Sequence, residues 1–192
     1  MLSKNLQNIL LLLAWESVAH GLKTGKPLRI DLDDYPDEFK QARATFIKLT
    51  REQHTRGCVG SMEPIRPLGE DVAENAFAAA FCDKHFPPLT SDELDGLGIE
   101  IMLLSPLEML SCATQLELTA QLRPHIDGLL LKAGSHHANL LPSAWENFHS
   151  AFELVNYLKQ TAGLPLTYWS KDIQVYRYTT ETFADSPQQP SF

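Results

Sequence analysis

Two strand-like runs in the first third of the chain are joined by a connection so short that it restricts how the chain can fold. The runs ATFIKLT (44–50) and TRGCVGS (55–61) are rich in β-forming residues, and four polar residues separate them. Parallel strands need a crossover of a dozen or more residues, whereas antiparallel strands can be joined by a tight turn. The spacing therefore predicts a β-hairpin.

Helical and strand-like segments are interspersed along the rest of the chain. Helices are predicted over 69–83, 114–122 and 146–165, and strands over 98–105, 127–141 (two strands around a Gly-containing turn) and 172–183. The segment KHFPPLTSDEL (84–94) is predicted to be a loop that ends in a short helical turn capped by Thr90 or Ser91. Because hairpins recur and no regular βαβ series appears, the predicted class is α+β, with an antiparallel or mixed sheet flanked by helices.

The two ends of the chain have different character. The first 22 residues carry an apolar stripe at helical spacing, and Glu16 interrupts the apolar run. The run is too short to span a bilayer, so an amphipathic helix packed on the body is predicted, with no membrane association. The polar segment 184–192 is predicted to be a disordered tail after a single domain of residues 1–183. The stripe consists of Leu2, Leu6, Ile9, Leu13 and Leu22.

Charge is unevenly distributed along the chain. The formal net charge is −8, but the segment from Lys40 to Arg66 has six Lys and Arg residues against two Glu residues, so it carries +4 and the remainder −12. A generic binder of duplex nucleic acid or of an anionic membrane needs a cationic surface, so the net charge argues against both. The basic segment is either an anion site or a solvated strand surface.

The cysteines indicate the redox environment. Cys58, Cys82 and Cys112 are odd in number, widely spaced and contain no C-x-x-C motif. This arrangement argues against a disulfide framework and suits a reducing compartment. We therefore expect a cytoplasmic protein with free thiols.

The thiol of Cys58 has two possible roles. On a regular strand Arg56 and Cys58 point to the same face, so Arg56 could favour the thiolate, which is the nucleophilic form. If Thr50 pairs with Thr55, however, Cys58 lies opposite Ile47 and is expected to pack as a small buried residue.

The guanidinium of Arg56 also has two possible roles. Gly57 and Gly60 would let a ligand or another backbone approach closely, and the guanidinium could hold a carboxylate or phosphate in bidentate fashion. Alternatively, Arg56 forms a structural ion pair with a neighbouring acidic residue, for example Asp83.

A metal site is not predicted. The adjacent His136 and His137 would face opposite ways on a strand, and their role stays open. Cys82, Asp83 and His85 form one close group, but a structural zinc site needs a second ligand pair.

Six motifs follow one another along the chain: TRGCVG, DKHFPPLTSDEL, IEIMLLSPLE, HIDGLLLKAGSHHANLLPSAW, KQTAGLPLTYW and VYRYTTETF. In this order they resemble the AMMECR domain family, whose prokaryotic members are called AmmeMemoRadiSam system protein A. The resemblance spans nearly everything from the first helix to Phe183. It implies an α+β fold of two lobes, with the R-G-C motif near a cleft between them. It also implies genomic or fused association with a Memo-type protein and a radical-SAM protein, and no established activity.

The residues and the resemblance together lead to two functional hypotheses. The first is binding of an anionic small molecule or modified nucleotide in the cleft, with enzyme activity and cofactor left open. The alternative is a non-catalytic interaction module for a Memo-type or radical-SAM partner. Ligand binding is assigned to Arg56, Gly57 and Gly60, and catalysis to Cys58, Asp83 and His85.

Overall fold

The computed structural model describes residues 1–185, which adopt an α+β fold with four α-helices and eight strands in that part of the chain. The helices are α1 (Lys4–Thr24), α2 (Leu68–Phe81), α3 (Gln115–Gln121) and α4 (Ala151–Thr161). The strands are β1 (Thr45–Arg51), β2 (His54–Gly60), β3 (Leu97–Leu104), β4 (Glu108–Leu110), β5 (Gly128–Ala133), β6 (His136–Leu140), β7 (Gln174–Tyr178) and β8 (Thr180–Ala184). The predicted fold class is confirmed.

The strands form two antiparallel four-stranded sheets, with the orders β2-β1-β3-β8 and β4-β7-β5-β6. Each sheet belongs to one of two compact units. The first unit is Met1–Leu104 with residues 181–185, and the second is Ser105–Thr180. The sequence predicted a single strand over 172–183, but β7 and β8 lie in different sheets. They are separated at Thr179, whose backbone exchanges hydrogen bonds with Ser105 instead of continuing a strand ladder.

Helix α1 is part of the first unit and packs against its apolar core. Its most buried apolar residues are Leu10, Leu13, Ala14 and Val18, whereas Leu2, Leu6 and Ile9 of the predicted stripe are only partly covered. The face that the helix buries is therefore centred on Leu10, Ala14 and Val18, and not on the predicted leucine stripe. Within residues 1–185 no helix is both long and apolar enough to cross a membrane.

Small residues allow α1 and α2 to approach each other and the sheet. The Ser17 hydroxyl donates to the carbonyl of Ala73 at 2.6 Å, and a Cβ atom on Gly21 would lie 2.3 Å from the Phe81 ring. On the other side of α2, a Cβ atom on Gly57 would lie 2.1 Å from the carbonyl oxygen of Ala79. The alanine-rich face of α2 thus lies close to the sheet, as the sequence indicated.

The second unit has its own apolar core. Helix α4 supplies Leu154, Val155 and Leu158, and the sheet supplies Leu129 and Leu131. Strands β5 and β6 pair around Gly134, whose φ of 60° is the left-handed conformation that glycine adopts readily. This is the predicted hairpin with the Gly-containing turn.

The β1–β2 hairpin contains a β-bulge. Thr50 pairs with Thr55 as expected, but the next pair is Leu49 with Gly57, which leaves Arg56 as an extra residue. Cys58 therefore pairs with Lys48, and the prediction that it lies opposite Ile47 is wrong. Because side chains alternate along a strand, the one-residue shift moves Cys58 to the sheet face opposite the buried Ile47.

The predicted tail begins inside the described part of the chain. Ala184 is the last residue of β8, and the N–H of Asp185 donates to the carbonyl of Ile99 at 3.0 Å. The Asp185 carboxylate also accepts a hydrogen bond from the indole of Trp15. The prediction of disorder for residues 186–192 lies outside the described residues.

Candidate functional site

The guanidinium of Arg56 is buried and is held by the segment that follows α2. Its Nε and Nη2 donate to the two carboxylate oxygens of Glu93 at 2.6 and 2.9 Å, and Nη2 also donates to the carbonyl of Pro87 at 3.0 Å. The Phe86 ring centroid lies 5.9 Å from Cζ of Arg56. Two parallel N–H···O bonds form the strong, geometrically specific kind of arginine–carboxylate pair. The hydrogen bond from Arg56 lowers the pKa of Glu93 to about 2.

Glu93 also organises the loop that carries it. Its Oε2 accepts hydrogen bonds from the backbone N–H and the hydroxyl of Thr90 at 3.0 and 3.1 Å. This is a capping box around the short 3₁₀ turn Ser91–Glu93, with Thr90 as the cap. Sequence reasoning named the cap but missed Glu93 as the partner of Arg56. The T-x-x-E spacing identifies the capping role, but the ion pair is visible only in three dimensions.

A second arginine shares the same carboxylate. Nη1 of Arg51 lies 3.7 Å from Oε1 of Glu93, so two guanidinium groups converge on one acidic side chain. Within the described residues, Nε of Arg51 and Nη1 of Arg56 are buried and have no hydrogen-bond acceptor. A buried donor left without an acceptor costs about 1–3 kcal/mol. The arginine pair therefore has two donors without acceptors, and because both atoms are closed to solvent, an oxygen ligand reaches them only when the surrounding side chains move.

Asp83 brings together the residues assigned to catalysis. Its Oδ2 accepts the backbone N–H of Cys58 at 2.8 Å, and its Oδ1 accepts the backbone N–H of His85 at 2.9 Å. The ring Nδ1 of His85 lies 3.0 Å from the same Oδ1. Burial alone would raise the pKa of Asp83, but these hydrogen bonds outweigh burial and hold that pKa below its ordinary value.

The carboxylate of Asp83 also has a structural role. Strand β2 is the edge strand of its sheet, so its outward N–H groups lack a neighbouring strand. Asp83 satisfies one of them, at Cys58. The His85 side chain, by contrast, is 85% exposed, so its imidazole is open to solvent while Asp83 orients it.

The thiol of Cys58 is half-buried, and its surroundings act on its pKa in both directions. Burial raises its pKa, and the nearby Asp83 and Glu100 raise it further, whereas Lys48 lowers it. A thiol with a raised pKa is protonated near neutral pH, and the protonated form is a poor nucleophile. The structure thus places Cys58 beside Asp83 in an environment that disfavours the thiolate.

The two glycines of the motif lie against the protein itself. The space beside Gly57 is filled by the backbone of Ala79, and that beside Gly60 by the ring of Phe46, 2.3 Å from an added Cβ atom. The close approach that the sequence indicated is therefore used for packing in this structure. A ligand role for the glycines stays a prediction.

The histidines of the second unit have separate surroundings. Nδ1 of His136 lies 2.8 Å from the carbonyl oxygen of Ala162, and His137 is exposed opposite Lys132. Across residues 1–185, no three His, Cys, Asp or Glu side chains are grouped so that they could hold a metal ion.

A buried carboxylate near the start of α2 was missed by sequence reasoning. Asp71 is fully buried and accepts hydrogen bonds from the N–H and hydroxyl of Thr45, and from Asn75 and Ser61. It also accepts hydrogen bonds from Nε and Nη2 of Arg66 at 3.3 and 3.1 Å. Acidic residues are common in the first turn of a helix, where they interact favourably with the helix dipole. The position of Asp71 in the sequence therefore gave no sign of its buried hydrogen-bonding role.

Comparisons with known proteins confirm the family resemblance that the motifs indicated. A family model described as AMMECR1 matches residues 11–183. A protein of Methanothermobacter thermautotrophicus is 33% identical over 184 residues, which cover 95% of each chain. Protein MJ0810 of Methanocaldococcus jannaschii is 31% identical over 161 residues, which cover 82% of this chain and 80% of that protein.

A solved structure has the same fold. The crystal structure of the uncharacterized protein PH0010 from Pyrococcus horikoshii superposes with a TM-score of 0.85 at 30% identity. The superposition covers 95% of this chain and 93% of the other.

Proposed function

This chain belongs to the AMMECR1 family, and we propose that it binds a small anionic molecule at Arg51 and Arg56. The observation that carries the proposal is the pair of buried N–H groups without acceptors, one on each arginine. A carboxylate or phosphate oxygen is the acceptor that guanidinium groups prefer. That this site lines a cleft between two lobes stays a prediction.

Glu93 limits how an anion can bind there. It already uses Nε and Nη2 of Arg56, so a ligand would take the remaining donors rather than a free guanidinium. Asp83 also interacts electrostatically with Arg56, and Asp92 with Arg51, in both cases over a distance longer than that of an ion pair. These carboxylates would repel a large polyanion. A compact oxyanion is favoured, because it can approach the two donors closely.

Calorimetric titration with inorganic phosphate and with acetate, two compact oxyanions, tests this function. We expect the wild-type protein to bind at least one of these probes and Arg51→Gln to weaken that binding at least tenfold. Arg43→Gln is the matched control, since it removes the same charge from the same basic segment. Within the described residues Arg43 takes part in no ion pair. Absence of binding to the wild type, or equal weakening in both variants, would contradict the proposal.

A second candidate function, docking of a protein partner, is favoured by the loop that Arg56 holds. Lys84, His85, Pro87 and Pro88 are exposed, while the Pro87 carbonyl and Asp83 tie the loop to β2. A rigid exposed loop loses little conformational entropy on binding. A Memo-type protein is the partner to test, with Lys84→Ala/His85→Ala as the variant. If the double variant binds the partner as tightly as the wild type does, this loop is not the docking surface.

A further inference from the structure

The first unit also contains a polar cavity, and neither Arg51 nor Arg56 lines it. It has a volume of about 280 Å³ and lies between the segment that follows α1 and the start of α2. Its lining residues are Leu28, Arg29, Ile30, Arg66, Glu70 and Glu74. The volume is near the lower end of the range for small-molecule sites. The cavity therefore suits a ligand of few atoms.

One of the two cations in this cavity is held in place by a buried group. Asp71 accepts hydrogen bonds from Nε and Nη2 of Arg66, and Ser61 accepts one from Nη2 at 3.2 Å. Asp71 is fully buried and is itself fixed by Thr45 and Asn75. An arginine oriented in this way by a buried carboxylate is preorganised for a ligand, because its side chain need not be ordered on binding.

The other charged groups of the cavity are unpaired. Among residues 1–185, Arg29, Glu70 and Glu74 make no ion pair, although opposite charges line the same small space. Glu70 and Glu74 are half-buried and four residues apart on α2, where like charges repel each other. A cationic group between these carboxylates would remove that repulsion, and an anionic group would suit the arginines.

We propose that this cavity binds a small zwitterion, an α-amino acid with an aliphatic side chain. Arg29 and Arg66 take the carboxylate, and Glu70 and Glu74 take the ammonium group. Leu28 and Ile30 supply the apolar wall for the aliphatic side chain. None of these cavity residues belongs to the anion site at Arg51 and Arg56, so the two sites can be tested independently.

Thermal-shift and calorimetric titrations with single amino acids test the proposal. The probes are leucine, isoleucine, valine and methionine, and we expect at least one to raise the melting temperature in proportion to the logarithm of its concentration. Two analogues of leucine separate its charges: 4-methylpentanoate lacks the ammonium group, and 3-methylbutylamine lacks the carboxylate. Neither analogue should bind measurably at the concentration at which leucine does.

Two substitutions remove one charge each without breaking an existing contact. Arg29→Gln and Glu74→Gln should each weaken binding of the amino acid at least tenfold, while Arg43→Gln and Glu38→Gln serve as matched controls. Retained folding of all four variants is checked by circular dichroism. The proposal is overturned if no probe binds at millimolar concentration, if an analogue with one charge binds as well as leucine, or if the cavity variants bind like the controls.

Discussion

Gly57 faces the backbone of α2 so closely that a Cβ atom on this residue would lie 2.1 Å from the carbonyl oxygen of Ala79. The neighbouring atom is backbone and cannot rotate away, so Gly57→Ala must push α2 from the sheet. We expect a loss of about 1–3 kcal/mol in the free energy of unfolding, the usual cost of overpacking. Urea unfolding measures it, with Thr55→Ala on the exposed part of β2 as the control, which should cost less than about 1 kcal/mol. Equal stability of Gly57→Ala and the wild type would contradict this packing.

Glu93→Gln should weaken the attachment of the loop to β2. Hydrogen bonds to charged groups are worth about 1.5–3 kcal/mol, so a loss of this size in the free energy of unfolding is expected near neutral pH. Asp95→Asn, two residues along the chain and exposed, should have little effect. A Glu93→Gln protein as stable as Asp95→Asn would show that the ion pair with Arg56 contributes nothing measurable.

The same ion pair predicts a pH dependence. The pKa of Glu93 is about 2 in the folded protein against an ordinary value of 4.5, so folding favours the charged carboxylate. The resulting stability is present above the ordinary value and is lost as the pH falls from about 4.5 towards 2. Urea midpoints measured across this range should fall less steeply for Glu93→Gln than for the wild type. Parallel profiles for the two proteins would argue against a lowered pKa at Glu93.

Cys58 should react slowly with a thiol reagent near neutral pH, because burial raises its pKa and keeps it protonated. The measurement uses Cys82→Ser/Cys112→Ser, which leaves Cys58 as the single thiol. Cys58→Ser/Cys112→Ser, which leaves the exposed Cys82, serves as the reference. Lys48→Gln should slow the reaction of Cys58 further, since Lys48 lowers the pKa of this thiol. Rapid labelling of Cys58 near neutral pH would instead support the nucleophilic role.

The orientation of α1 can be tested with two leucines on opposite sides of the helix. Leu10 is 0% exposed and Leu12 is 62% exposed. Leu10→Ala should cost about 2–5 kcal/mol, the range for a buried leucine, whereas Leu12→Ala should change the stability by no more than about 0.5 kcal/mol. Thermal or urea unfolding gives both values. A larger loss for Leu12→Ala would mean that the helix turns another face to the core.

Local patterns predicted most of the elements of the fold. The four-residue connection before TRGCVGS indicated the first hairpin, and the Gly134 turn indicated the second, because both signals depend on residues close in sequence. The alanine-rich pattern of α2 indicated its close approach to a sheet. The division of 172–183 into β7 and β8 was missed, since an alternating pattern does not reveal that neighbouring strands belong to different sheets.

The site was only partly predictable. The motifs TRGCVG and DKHFPPLTSDEL supplied Arg56, Cys58, Asp83 and His85, and two of these, Cys58 and His85, contact the carboxylate of Asp83. Their contacts could not be read from the sequence, because the bulge at Arg56 shifts the pairing of Cys58 by one residue. Gly57 is a local signal for a bulge, because an isolated glycine within a strand pattern often marks one, but it does not tell which neighbouring residue is left unpaired.

The sequence by itself determined the α+β class, the family and the residues that carry charge or a thiol, because these follow from composition, local periodicity and motif order. The tertiary structure decided which of those groups have partners. Arg56 and Glu93 are 37 residues apart in sequence and 2.6 Å apart in space, and Arg66, which lines a cavity, donates hydrogen bonds to the buried Asp71. Whether a charged side chain has a partner depends on its distance from segments that are remote in sequence. Packing of the folded chain sets those distances.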